Sequence, residues 1–164
     1  MTMEKKFQRP LIKMLVRMYT RSSLPEKYRS EIMDGNLCIR KNKEGISREY
    51  IEYQLNRSDK GRPDYIIVCL NNTEIVGFII AFAHDEGAGK KRKNNWTLDM
   101  ICREPGSQYS NISQLMLKRL VREALKYNVK KIVLHPTTNK AAMAYTRLGF
   151  IKRKHDRKTM FLRL

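Results

Sequence analysis

Apolar residues near the start of the chain recur at helical spacing. Leu11, Met14, Leu15 and Met18 fall on one side of a helical wheel, which predicts a helix over residues 7–20. An apolar stripe of this kind packs against the rest of a fold. The pattern therefore predicts that the chain opens with an amphipathic helix.

Two further helices and a short strand are predicted before the middle of the chain. The residues after Pro25 have helical composition and stop at a breaker pair, residues 35–36. The apolar residues 37–39 predict a short strand. Ser47 is a good N-cap for a helix with apolar residues one turn apart.

The middle of the chain alternates between strand and helix patterns. Residues 65–70 and 75–82 are rich in β-branched and aromatic residues around a turn-forming stretch, which predicts a β-hairpin. Both runs are apolar on both faces, so we expect them at the centre of a covered sheet. A strand over residues 96–102, an amphipathic helix over 110–127 and a strand over 131–135 follow.

The C-terminal part is predicted to hold a short helix and two strands. Thr137 or Thr138 caps a helix over residues 139–147, and strands follow at 150–151 and 160–162. This order of elements predicts a fold of the α/β (α+β) class, with a mixed sheet and helices on both of its faces.

The composition is that of a globular chain. Hydrophobic residues make up 41% and charged residues 30%, which suits one domain with one core, and we expect that domain to span residues 1–164. No apolar run approaches the roughly 20 residues of a membrane span, and no apolar stretch follows the charged N-terminus as in a secretory signal. We therefore expect a cytoplasmic protein without membrane contacts.

Cysteines and histidines predict neither a disulfide framework nor a metal site. The three cysteines, Cys38, Cys69 and Cys102, are odd in number and lack C-x-x-C spacing, so we expect reduced thiols. The three histidines are scattered without metal-ligand spacing. We expect no bound metal.

The chain is strongly and unevenly basic. Its net charge is +18, from 34 Lys and Arg residues against 16 Asp and Glu residues. Residues 1–84 contribute +5 and residues 85–164 contribute +13. An excess of this size attracts polyanions or an anionic cofactor. The alternative interpretation is that the charge only keeps a small protein soluble.

The strand–loop–helix–strand unit over residues 96–135 has the geometry of a phosphate site. The first backbone N–H groups of a helix have no partner within the helix, and the helix dipole is positive there. A pyrophosphate group binds well at such an end. Many αβ units share this geometry without a ligand, so the pattern by itself leaves both interpretations open.

Three segments give the chain a specific resemblance to a known family. They are a hairpin strand with an I-V-G-F core, a helix with the spacing of an acyl-CoA-binding helix, and an A-x-x-x-Y-x-x-L-G-F stretch: residues 73–79, 112–128 and 141–150. On these segments, the part from about Tyr65 to Leu164 resembles the GNAT superfamily of acyl-CoA-dependent N-acyltransferases.

The resemblance implies a cofactor as well as a fold. The sheet is expected to be GNAT-like, mostly antiparallel, and splayed between the strands at residues 96–102 and 131–135, with acetyl-CoA or another acyl-CoA bound in the gap. The residues implied in cofactor binding lie at the end of the first strand, in the following loop and helix, and at the start of the next helix: Ile101, Cys102, Arg103, Gln108, Tyr109, Ser110, Asn111, Ile112, Ser113 and Asn139.

The pyrophosphate loop departs from the family's Q/R-x-x-G-x-G/A pattern. Counted back from the helix, Gln108 takes the first position, and Asn111 and Ser113 stand where glycines are expected. Asn enters the left-handed backbone region more readily than most residues and Ser is small, so the loop remains able to bind phosphates. A second register starts at Arg103 and keeps Gly106 as the glycine.

Acylation of an amine requires a neutral amine, a polarised thioester carbonyl and a proton for the departing thiolate. The resemblance implies that a strand amide near Ile101 bonds the carbonyl. Tyr145 is the candidate general acid, because a phenol with a pKa of about 10 keeps its proton at neutral pH. Asp99, between apolar neighbours, is the candidate base, with His84 or a water relay as alternatives. The structural alternatives are a core aromatic for Tyr145 and an ordinary bonded carboxylate for Asp99.

The expected activity is transfer of acetyl from acetyl-CoA to a primary amine. The positive field disfavours polycationic acceptors, so we expect the amine on a nucleic acid, an acidic protein or a ribonucleoprotein. The Lys90–Lys93 run is interpreted as a solvated loop, a nucleic-acid contact or a nuclear import signal. The competing hypothesis is a degenerate GNAT-like module that binds nucleic acid without catalysis. The sequence assigns no acceptor and no oligomeric state.

Overall fold

The computed structural model of the protein describes residues 14–20, 22–34, 37, 47–56, 64–84 and 94–164. The strands within these residues are β1 (Met14–Thr20), β2 (Tyr65–Asn71), β3 (Glu74–Phe82), β4 (Asn95–Arg103), β5 (Lys131–Leu134), β6 (Ile151–Lys152) and β7 (Met160–Arg163). The helices are α1 (Glu26–Asp34), α2 (Arg48–Asn56), α3 (Ile112–Lys126) and α4 (Asn139–Arg147), with a 3-10 turn at Ser107–Tyr109.

The strands form one mixed sheet in the order β1-β2-β3-β4-β5-β7-β6. All neighbouring strands are antiparallel except β4 and β5, which run parallel. The predicted class, a mixed and mostly antiparallel sheet with flanking helices, is therefore confirmed.

Two apolar cores lie on opposite faces of this sheet. Residues alternate along β2, with Ile67 in one core and Ile66 in the other, because successive strand residues point to opposite faces. The first core packs under α3 and α4, through residues such as Met116. The second packs under α1 and α2, through Ile32 and Ile51.

The first element is a strand, so the predicted helix over residues 7–20 is wrong for residues 14–20. The same apolar residues also alternate: Met14, Val16 and Met18 are half-buried against the core under α3, and Leu15 is 43% exposed. β1 pairs with β2 along its whole length, and this pairing overrides the helical spacing. Residues 7–13 lie outside the described residues.

The remaining elements confirm the sequence pattern where the structure describes them. Ser47 caps α2 by accepting a hydrogen bond from the Tyr50 N–H at 3.2 Å. Thr138 caps α4 by accepting one from the Ala141 N–H at 3.0 Å. Of the strand predicted over residues 37–39, only Leu37 is described, and it lies in a turn.

β4 is joined to β5 at one end and separate from it at the other. Only the first three residues of β4, residues 95–97, pair with β5. The remainder, residues 98–103, pairs with β3 alone, so the sheet is splayed between these strands as predicted. Within that remainder, Asp99 is an extra residue: Met100 pairs with Ile80 and Leu98 with Ala81, which leaves a β-bulge at Asp99.

The expectation of reduced thiols holds for one described cysteine and fails for the other. Cys69 is free and buried in β2, and burial raises the pKa of its thiol to about 11. Cys102 is disulfide-bonded, so the prediction is wrong there. The error arises because spacing along the chain does not show which thiols the fold brings together.

Neither a membrane-spanning helix nor a metal-binding cluster is found in the described part of the chain. None of its helices is long and apolar enough to cross a membrane. None of its His, Cys, Asp and Glu side chains form a group of three or more that could hold a metal ion.

Candidate active site

The front of α3 differs from the fronts of α2 and α4. Ser47 and Thr138 each cap their helix with a side-chain oxygen, whereas Asn111, the N-cap of α3, makes no such hydrogen bond. The amides of residues 112–114 begin the helix and have no acceptor within it, because helical bonding starts with Leu115 N–H to the Asn111 carbonyl at 3.1 Å. This end of α3 therefore keeps donors and a positive dipole available to an anion.

An open cavity of about 220 Å³ lies at this helix front. Its walls come from the end of β4, the start of α3 and the last turn of α4: Arg103, Ser110, Asn111, Ser113, Gln114, Ala144, Arg147 and Leu148. Two guanidinium groups and several short polar side chains thus surround the amides of α3. The corner is open, and its chemistry suits a phosphate group.

Gly77 of β3 fixes how closely the front of α3 approaches the sheet. A methyl group at Gly77 would lie 2.7 Å from Cγ2 of Ile112 and 2.9 Å from Cε of Met116. Both distances are too short for side-chain contact, so the helix can sit at this depth only above a glycine. The glycine of the I-V-G-F segment therefore positions the helix front.

The loop before α3 takes its turn at Gly106 rather than at the residues that replace the family's glycines. Gly106 has φ +121°, and the 3-10 turn follows it. Asn111 has φ −92° and ψ −3°, an ordinary right-handed conformation. Contrary to the expectation from its residue type, Asn111 therefore does not use left-handed geometry. Asn111 and Ser113 instead place side chains on the cavity wall.

A second cavity of about 280 Å³ adjoins the first, sharing Gln114 and Leu148 as walls. It runs along α3 and is lined mainly by apolar residues, with Lys118 at its side. The neighbouring Arg119 pairs with Glu123 at 3.3 Å on the same helix. The first cavity is therefore bordered by cationic residues and the second mainly by apolar ones.

Tyr145, Asp99 and Ile101 converge where β4 leaves β5. Tyr145 is half-buried and stacks edge-on against Phe150, with ring centroids 5.9 Å apart. Its pKa is raised, first by burial and then by the charge of Asp99, against the opposing effect of a hydrogen bond from the Ile101 backbone N–H. The phenol therefore keeps its proton, bonds the strand amide and feels the charge of the carboxylate.

Two residues that the sequence did not indicate complete this cluster. The Tyr50 hydroxyl donates a hydrogen bond of 2.8 Å to Oδ1 of Asp99. Gln54, one helical turn further along α2, donates one of 2.8 Å to the Tyr50 oxygen. Their spacing places them on one side of α2, which is the only sequence signal they carry.

Most of the predicted site residues fall into two groups in the structure, and the others lie around them. Arg103, Ser110, Asn111 and Ser113 line the first cavity. Asp99, Ile101 and Tyr145 form the cluster at β4.

The remaining predicted site residues lie around these groups without lining either cavity. Ile112 is buried beneath the helix front, and Tyr109 packs at the edge of the same core. The Cys102 side chain lies in the core under α1 and α2, on the opposite face of the sheet from α3. Gln108 folds over Gly106, and Asn139 begins α4 as an exposed residue.

His84, the alternative base, lies elsewhere. Its Nδ1 is 3.7 Å from Asp64 Oδ2, and its carbonyl accepts a hydrogen bond from Thr97 at 2.8 Å. This is the end of the sheet where β4 begins, away from the bulge. His84 is therefore not part of the cluster.

Comparisons with known proteins bear on the family and on the fold of the chain. Residues 29–150 match the sequence model of the acetyltransferase (GNAT) family. Among curated protein sequences, none matches the chain significantly.

Solved structures share the fold at low sequence identity. A GNAT acetyltransferase from Staphylococcus aureus Mu50 is 18% identical, with a TM-score of 0.67 over 92% of this chain and 99% of that one. PaiA N-acetyltransferase from Thermoplasma acidophilum, in complex with coenzyme A, is 16% identical, with a TM-score of 0.57 over 93% and 99%. A GNAT acetyltransferase from Brucella melitensis, in complex with acetyl-CoA, is 13% identical, with a TM-score of 0.64 over 93% and 89%.

Proposed function

Because the chain belongs to the GNAT acetyltransferase family, we propose that it transfers an acetyl group from acetyl-CoA to a primary amine. The observation that carries the proposal is the uncapped front of α3, which opens into a cavity with Arg103 and Arg147 beside the unpaired part of β4. A pyrophosphate at the amides would place the rest of an extended ligand along the gap between β4 and β5.

The residues around the two cavities suit the different parts of acetyl-CoA. The two arginines and the amides of residues 112–114 match its phosphates. The more apolar second cavity offers contacts to less polar portions of the molecule. Bound there, acetyl-CoA would supply an activated thioester. PaiA N-acetyltransferase carries coenzyme A, and the Brucella melitensis acetyltransferase carries acetyl-CoA.

Asp99, Ile101 and Tyr145 each have one role in this proposal. Asp99 accepts a proton from the amine as its nitrogen bonds to the acetyl carbon. The Ile101 backbone N–H, which bonds the Tyr145 oxygen in the structure, would donate to the oxygen on which negative charge develops. Tyr145 gives its proton to the sulfur as the carbon–sulfur bond breaks, and exchange with solvent restores both side chains.

The acceptor amine is proposed to be carried on a nucleic acid or another polyanion. The loop between β6 and β7, residues 153–159, lies at the carboxyl end of β5, because Met160 pairs with Leu134. β4 and β5 are parallel, so this loop lies at the same end of the sheet as the front of α3. A strongly basic element beside the reaction centre attracts polyanions to it.

Hydrogen bonds within the loop engage its carboxylate, and its basic side chains are exposed. Its one carboxylate, Asp156, accepts hydrogen bonds from the Thr159 hydroxyl at 2.6 Å and the Lys158 N–H at 3.0 Å, and these bonds lower the pKa of that carboxyl. Lys154, Arg157 and Lys158 are exposed. These side chains match a row of phosphates better than a free small amine.

Thermal unfolding tests the binding of acetyl-CoA, and the release of free thiol tests the transfer of its acetyl group. Acetyl-CoA at about 100 times its Kd should raise the midpoint by several degrees. Ser113→Tyr should abolish the shift by filling the cavity, and the exposed Ser22→Tyr should retain it. Nucleic-acid binding without any acetyl-CoA shift would contradict the enzyme and support the binding module.

The polyanionic acceptor is tested by the salt dependence of binding to a short nucleic acid. Lys154→Gln/Lys158→Gln should reduce the slope of log K against log salt by about 1 to 2, since each phosphate contact contributes about 0.9. Lys27→Gln/Lys126→Gln removes the same charge far from the loop, so it should reduce the slope less than Lys154→Gln/Lys158→Gln does. Equal slopes for the two variants would reject the loop as the contact.

A further inference from the structure

We propose that Tyr50, held in place by Gln54, is a positioning residue that fixes the carboxylate of Asp99 for proton transfer. The inference rests on the proposed function, in which Asp99 is the base. It assigns a role to α2, an element that contributes no residue to either cavity at the front of α3.

The geometry forms a chain from a buried amide to the carboxylate. Gln54 is 5% exposed and donates to the Tyr50 oxygen, which leaves the Tyr50 hydrogen directed at Oδ1 of Asp99. Both distances are 2.8 Å, which is normal for strong hydrogen bonds. The direction of donation is fixed because a carboxylate only accepts and an amide nitrogen only donates.

The backbone at Asp99 does not by itself fix the direction of the carboxylate, so hydrogen bonds to the side chain have to do so. It is the extra residue of a β-bulge, where the register of β3 against β4 shifts, and it lies on the part of β4 that has left β5. The regular ladder therefore does not fix the direction of its side chain. A base must be held within a few tenths of an ångström of its productive position, and residues that bond the carboxylate supply that precision.

The pair is not needed to attach α2 to the sheet. Ile51 and Leu55 are buried in the core under this helix, and Ser47 caps its first turn. Tyr50, in contrast, is 40% exposed. Burying the polar Gln54 is unfavourable unless its bonds are made, so its placement favours orientation of Tyr50 over packing.

The experiment is a double-mutant cycle measured by steady-state acetyl transfer. Tyr50→Phe keeps the ring and removes one hydrogen bond to a charged group, so kcat should fall by about tenfold. KM for acetyl-CoA and the unfolding midpoint should not change. In the Asp99→Asn background, Tyr50→Phe should have no further effect on kcat, because the two residues act through one group.

The matched control is Tyr53→Phe, which removes a hydroxyl from the same helix and should leave kcat unchanged. A loss from Tyr50→Phe that persists in the Asp99→Asn background, or one equal to that of Tyr53→Phe, would overturn the inference. If Asp99→Asn is inactive while Tyr50→Phe is fully active, only the inference fails. If Asp99→Asn is fully active, the proposed base is rejected together with it.

Discussion

The two halves of β4 differ in what borders them. Residues 95–97 pair with β5, and their side chains are enclosed: Trp96 stacks on Tyr65 with ring centroids 5.0 Å apart, and the buried Thr97 hydroxyl donates to the His84 carbonyl. Residues 98–103 have no strand beside them on the β5 side. There Asp99 bulges, and polar groups bond to side chains from α2 and α4.

This contrast separates stability from chemistry along one strand. A parallel pair that lasts for only three residues leaves the rest of β4 without a strand on that edge, where Tyr145 of α4 bonds the Ile101 N–H. We call residues 98–103 the open half of β4 and residues 95–97 the closed half. We therefore expect changes in the open half to alter turnover, and changes in the closed half to alter the free energy of unfolding.

Replacing Tyr145 should give the largest effect within the open half. Tyr145→Phe keeps the edge-on contact with Phe150 and removes the proton donor, so kcat should fall by about 100-fold while the unfolding midpoint stays near the wild-type value. Steady-state kinetics and thermal unfolding measure the two quantities. A kcat within twofold of wild type would show that the phenol does not protonate the leaving group.

The raised pKa of Tyr145 leads to a prediction for kcat at alkaline pH. Its pKa is raised by burial and by Asp99, so the neutral phenol persists above the ordinary tyrosine pKa of about 10. If Tyr145 is the acid, kcat for the wild type should not decline as pH approaches that value. A decline centred well below it would assign the acid to another group.

Gly77→Ala tests how far β3 controls the position of the front of α3. The added methyl overlaps Ile112, which should cost about 1–3 kcal/mol in the free energy of unfolding and weaken acetyl-CoA binding about tenfold as the helix front moves. Denaturant unfolding and titration with acetyl-CoA measure both.

A second substitution distinguishes overlap from other effects of Gly77→Ala. Ile112→Leu removes the Cγ2 methyl that lies 2.7 Å from the added carbon. The double variant should therefore bind acetyl-CoA better than Gly77→Ala alone. If it binds no better, the helix front is not positioned by this contact.

The strongly patterned elements were predictable from sequence, and β1 shows where pattern fails. The hairpin, β4, α3 and α4 follow their periodicities because local preference and packing agree. In β1, Met14 and Met18 fit helical spacing and strand alternation equally well. Only pairing with β2 decides between them, and that partner lies far along the sequence.

The candidate site was predictable as far as motif and family resemblance reached. The resemblance implied Tyr145 and the Ile101 amide, and the structure places them together. The contact of Tyr50 with Asp99 joins residues 49 positions apart and depends on how α2 docks. A tyrosine and a glutamine one turn apart on a helix carry no sign of such a contact, so sequence reasoning missed it.

Replacing Arg147 tests the cationic wall of the first cavity. The expected loss of acetyl-CoA binding is smaller than that from Gly77→Ala. Arg147→Gln should weaken acetyl-CoA binding several-fold at low salt and less at high salt, because a screened charge pair contributes less. Isothermal titration at two salt concentrations measures this. Arg122→Gln removes the same charge from an exposed position of α3 outside both cavities, and an equal loss there would mean that net charge alone is responsible.

Thr97→Val tests the closed half and should have the smallest effect. The substitution is close in shape and removes the hydroxyl that donates to the His84 carbonyl, so the free energy of unfolding should fall by about 1 kcal/mol. Turnover should not change, because Thr97 lies in the paired half, before the bulge. A loss of kcat without a loss of stability would show that geometry is transmitted along β4 from one half to the other. The separation of stability from chemistry would then fail at the residue where β5 ends its pairing.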